Sequence, residues 1–112
     1  MAPSGHLPSE YVSKDIIRSL YNNSSLLAMI SNGELTSEVL SDRELKKWRE
    51  RGQTEGTRSQ VLRYLDAEGQ WLVEVHQYVR PDGTLGGSGI PDPKRLRLED
   101  KILIAEPSPP DP

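Results

Sequence analysis

Trp-Leu-Val-Glu-Val-His-Gln-Tyr-Val-Arg, at positions 71–80, is the longest stretch of the chain dense in β-branched and aromatic residues. Turn chemistry closes it on both sides, with Asp66-Ala67-Glu68-Gly69 before it and Pro81-Asp82-Gly83 after it. Such a run reads as a strand paired with both of its sequence neighbours. Alternate side chains of a strand point to opposite faces. Trp71, Val73, Val75, Gln77 and Val79 are therefore expected on one side, facing a core. Leu72, Glu74, His76, Tyr78 and Arg80 are expected on the other, bare of helices.

The flanking segments fit this centre. Positions 60–66 read as a preceding strand joined by a hairpin through Ala67-Glu68-Gly69. Asp82-Gly83 reverses the chain, and Thr84-Leu85 begins a further strand. Positions 95–98 and 101–105 form a last hairpin around Glu99-Asp100. Upstream, the spacing is helical. Ser9 is read as an N-cap, followed by Tyr11 or Val12, Ile16 and Leu20 as an apolar stripe that Ile17 and Tyr21 widen. Leu26, Leu27, Met29 and Ile30 mark a second, short helix ending at Asn32-Gly33. Ser41-Asp42-Arg43-Glu44 matches a capping box, which predicts a third, charged surface helix ending at Gly52.

The expected fold class is α+β. Two or three N-terminal helices pack on one face of an antiparallel meander of four or five strands. One domain spans residues 10–105, helical over 10–52 and strand-rich over 58–105. Residues 1–9 and the proline-rich residues 106–112 are expected to be disordered tails.

Composition narrows the function. The chain has 112 residues, 34% of them hydrophobic, and no phenylalanine. That is lean beside the about 45–50% apolar residues usual in soluble domains, so a second copy or another protein is an expected partner. With no cysteine, thiol catalysis and the common zinc sites are excluded. No metal or cofactor is expected, because one histidine outside the tail and scattered carboxylates make no ligand set. No run approaches membrane-spanning length and no secretory signal opens the chain, so a cytoplasmic location without membrane contact is expected. The net charge of −3 argues against broad affinity for nucleic acid.

Three groups of residues carry possible chemistry. The polar side of the central strand offers His76, Tyr78 and Arg80 for acid, base or phosphate-neutralising roles. The predicted charged helix offers Lys46, Lys47 and Arg49 as a contact surface. The loop Gly86-Gly87-Ser88-Gly89, followed by Lys94 and Arg95, leaves backbone amides unshielded and can cradle an anion. It is neither a Walker A loop nor a dinucleotide fingerprint, since no strand–glycine turn–helix unit surrounds it.

Two functions follow. One is a small binding or adaptor protein that uses the charged helix and the glycine loop. The other comes from a resemblance. Helices followed by an antiparallel meander, with His, Tyr, Arg and Lys on its open face, resemble the layout of RelE-like and BrnT-like toxins. The likeness is one of element order and residue type, and no family motif is matched residue by residue. It implies metal-independent RNA cleavage and carries over no catalytic residue; such chemistry in this chain would need His76 or Tyr78 as base or acid and Arg80, Lys94 or Arg95 to neutralise phosphate.

Overall fold

The computed structural model describes residues 7–86 and 89–107. Two helices, α1 (Lys14–Asn22) and α2 (Leu26–Ser31), accompany six strands: β1 (Ser9–Val12), β2 (Thr36–Glu44), β3 (Arg58–Leu65), β4 (Trp71–Val79), β5 (Asp92–Arg97) and β6 (Ile102–Ala105). All six strands form one sheet in the order β1-β6-β5-β4-β3-β2. The architecture is α+β with two helices, both short, and the sheet has six strands rather than the four or five expected. The neighbours from β2 to β6 are antiparallel, and β1 lies parallel to β6.

Two segments expected to be helical are strands. Ser9, read as an N-cap, is instead the first residue of β1, where it pairs with Ile102. The cap of α1 is Ser13, whose hydroxyl accepts a hydrogen bond from the Ile16 amide at 3.3 Å. This later start also turns the helix. Ile17 and Tyr21 are its buried pair, while Ile16 and Leu20 stay exposed. The second correction concerns the predicted charged helix. Ser41 to Glu44 belong to β2, and the ladder to β3 runs from Thr36–Leu65 to Glu44–Arg58. A capping box contributes on the order of 1 kcal/mol, whereas pairing satisfies the backbone of the whole segment. Beyond it, residues 46–52 form turns, closed by Gln53 N–H donating to Trp48 O at 2.8 Å.

The predicted tails fall mostly outside the described residues. At their inner margins, Ile102 N–H donates to Pro8 O at 2.9 Å, and Glu106 N–H donates to Val12 O at 2.8 Å.

The core is small. Ile17 and Tyr21 from α1 meet Leu62, Val73, Val75, Leu96 and Leu103 from the sheet, with Leu26, Leu27 and Ile30 of α2 packed against them. Val73 and Val75 face this core as alternation predicted. Trp71 does not. A bulge between the Tyr64–Val73 and Leu65–Trp71 pairs adds Leu72 to β4 and reverses the alternation there. Trp71 therefore joins the opposite face, where Arg63 and Arg97 lie over its ring at 5.6 and 4.7 Å. On that face Glu74, only 8% exposed, is bonded by Arg63 at 2.6 Å and approached by Arg95 at 3.5 Å. The arginines thus offset the cost of burying the carboxylate.

Candidate functional site

Local pairing creates a gap beside the second half of β4. β5 begins at Asp92, opposite His76, and the next strand-like contact is the single bridge between Val79 and Leu85. Thr84-Leu85 therefore makes that bridge rather than a full strand. Between these points Gly86 stays beside β4, its N–H donating to Tyr78 O at 2.8 Å. A Cβ at Gly86 would meet Gln53 Oε1, the far end of a flexible side chain, and lie 3.2 Å from the Tyr78 Cβ, so a larger residue here obliges both neighbours to shift. The gap leaves a cleft of about 610 Å³. His76 and Tyr78 line it from β4, Lys94 and Asp92 from β5, Arg18 and Lys14 from α1, and Arg51 from the turns after β2. Leu85, Ile90 and Pro91 give it an apolar side.

The charge of this cleft is lopsided. Lys14, Arg18, Arg51 and Lys94 face one carboxylate, Asp92. Arg18 donates to Asp92 Oδ1 at 3.1 Å and Lys94 to Oδ2 at 3.2 Å. Burial works against ionisation of Asp92, but these two hydrogen bonds outweigh it and hold its carboxyl below the ordinary range. His76 is shifted the other way. Burial, then Lys94 and Arg51, push its pKa below the usual 6.5, against a smaller opposing pull from Asp92. The shift favours the neutral imidazole.

Two neighbours fix the His76 ring. Tyr78 meets it edge-on, with ring centroids 4.7 Å apart. Ser59 Oγ lies 2.8 Å from Nε2. In the tautomer with the proton on Nε2, the ring donates to Ser59 and leaves Nδ1 as a base. In the other, Ser59 donates and Nδ1–H is a donor. Nδ1 can thus accept a hydrogen bond or donate one, depending on which nitrogen carries the proton.

Of the residues singled out from sequence, the cleft brings together His76, Tyr78, Gly86 and Lys94. Arg95 is on the sheet face with Glu74, and Arg80 stands at the turn beyond β4, its amide donating to Thr84 O at 2.8 Å. Lys46, Lys47 and Arg49 are exposed on the turns 46–52, with Arg49 over the Trp48 ring at 4.9 Å. Gly89 takes a positive φ of 81° within its loop, and Gly87 lies outside the described residues. Sequence reading missed Lys14, Arg18, Asn22, Arg51 and Asp92. The first three recur every fourth residue, which places them on one stripe of α1. That spacing was the available signal.

Among the described residues no cluster of three His, Cys, Asp or Glu could hold a metal ion. No helix among them is long and apolar enough to cross a membrane. No protein family, curated protein or solved structure matches this chain at a significant level.

Proposed function

We propose that this protein binds a small phosphate-bearing ligand in the cleft between α1 and the β4–β5 gap. The observation that carries this reading is the convergence of Lys14, Arg18, Arg51 and Lys94 around the single carboxylate of Asp92. A net positive, water-filled concavity concentrates anions, and guanidinium groups match phosphate oxygens in geometry. The volume is that of a site for a cofactor-sized molecule, typically about 300–1,000 Å³. Ile90, Pro91 and Leu85 suit an apolar or flat portion of such a ligand beside the phosphate. The adaptor reading loses the charged helix it relied on, and the cleft takes its place.

Calorimetric titration with inorganic phosphate, pyrophosphate, nucleoside monophosphates and a short oligoribonucleotide tests the proposal. At least one of these binds, and Arg18→Ala and Lys94→Ala each weaken it roughly tenfold, as expected for loss of a charge-assisted contact. Absence of heat with every probe, or equal affinity in the variants, overturns it.

The Ser59–His76 hydrogen bond favours a second reading, metal-independent cleavage of RNA. A neutral imidazole with Nδ1 available takes the proton of a ribose 2′-hydroxyl as that oxygen bonds to phosphorus, the P–O5′ bond breaks, the 5′-oxygen takes a proton from water, and Lys94 and Arg51 stabilise charge on the phosphate. In this case wild-type protein cleaves an oligoribonucleotide without added metal. His76→Ala binds it equally well and leaves it whole. Binding without cleavage by the wild type rejects this second reading and retains the first.

A further inference from the structure

β2 is nine residues long, lies at one end of the sheet and bonds to β3 alone. All its residues except Ser41 are exposed, including Val39 at 56% and Leu40 at 41%. Such an edge offers a row of backbone donors and acceptors to another strand. For two copies of one strand to pair antiparallel, residues placed opposite each other must look to the same face. In an unbroken strand Glu38 and Arg43, five positions apart, would look to opposite faces. β2 is not unbroken.

The register to β3 steps from Val39–Leu62 to Ser41–Val61, so Leu40 is an inserted, bulged residue. Past it the alternation is reset. Glu38 stands opposite Arg63, and Arg43 stands opposite Ser59. Arg63 bonds Glu74 and Ser59 bonds His76, two residues that share the face away from Val73 and Val75. Glu38 and Arg43 thus share that face as well. A two-fold axis between Leu40 and Ser41 then sets Glu38 of each copy opposite Arg43 of the other. On the reverse face Val39 meets Asp42, whose charge Arg58 already neutralises at 2.7 Å. Moving the register by one step to either side sets Glu38 opposite Ser41 or Leu45, and both ion pairs vanish.

We propose that β2 pairs antiparallel with β2 of a second copy in this register, joining two six-stranded sheets into one. The partner is the chain itself because the edge is charge-complementary to its own reversal. The bulge is what makes it so.

Sedimentation velocity of the full chain over a concentration series tests this. Wild-type protein shows a monomer–dimer equilibrium. Arg43→Glu, at a position opposite Ser59 in its own sheet, raises the dimer dissociation constant roughly tenfold, because two cross-strand attractions become repulsions. Glu38→Arg acts likewise, and the double exchange Glu38→Arg/Arg43→Glu restores wild-type association. Circular dichroism melts confirm that each variant is folded. A wild type that stays monomeric, single variants that dimerise as the wild type does, or a double variant that fails to recover overturns the proposal.

Discussion

The two halves of the sheet are built on opposite terms. From β1 to β4 the strands lie with α1 and α2, and Val73, Val75, Leu96 and Leu103 are sealed from water. At the other end β2 extends past the helices, and Val39 and Leu40 remain exposed although their sequence is as apolar as any in the core. Strand identity is thus independent of burial here. The covered half is held by packing, and the outer half by its backbone ladder to β3. The cleft forms along the covered half's margin, where α1 can lend cations to the exposed end of β4.

The contrast can be broken most sharply by trimming one apolar side chain in each half. Ile17→Ala, at a site 1% exposed, is expected to cost about 3 kcal/mol. Val39→Ala in β2 should stay within about 0.5 kcal/mol of wild type. Urea denaturation followed by circular dichroism measures both, and similar losses would show that the outer half has a packed core of its own.

A smaller effect is expected where the halves join. Arg63→Ala removes the closer partner of the buried Glu74 and one of the two guanidinium groups over Trp71. Arg95 remains at 3.5 Å, so the loss should be about 2 kcal/mol rather than the full cost of an unpaired buried carboxylate. Arg58→Ala, which opens the exposed pair with Asp42, should leave the urea midpoint where it is.

The smallest effect separates the halves by pH. His76 has a folded pKa below its unfolded value of 6.5, so the unfolded chain binds more protons between the two. Its contribution to stability is therefore complete above pH 6.5 and declines as pH falls from there through the folded pKa. His76→Gln should flatten this slope in thermal melts, whereas Asp42→Asn should leave it alone and flatten only the decline below the ordinary carboxylate value, where protonation of Asp42 otherwise removes its pair with Arg58. An unchanged slope in His76→Gln would place the imidazole in water.

What was legible in the sequence was local. The run at 71–80 and the hairpins around it needed only alternation and turn residues, and β3, β4, β6 and the end of β5 follow them, whereas Asp92 to Lys94, expected in the loop, are the first half of β5. α2 was equally plain, ending before Gly33 with its φ of 74°. β2 was misread because a capping signal is written in four adjacent residues, whereas the reason for pairing lies twenty residues away in β3. Trp71 was placed on the wrong face because a bulge leaves no mark in the alternation of a single strand. The site divides in the same way. His76 and Tyr78 could be found on one strand, but Arg18, Arg51 and Asp92 meet only through the tertiary arrangement of three elements.

The parallel seam between β1 and β6 has a consequence for synthesis. Among the described strands β1 is synthesised before the others, yet its sheet neighbour, β6, is synthesised after them. The segment must wait, undocked, while roughly ninety residues follow it, so sheet completion is a late event in the life of the nascent chain. A growing polypeptide halted before Ile102 has no strand against which β1 can pair.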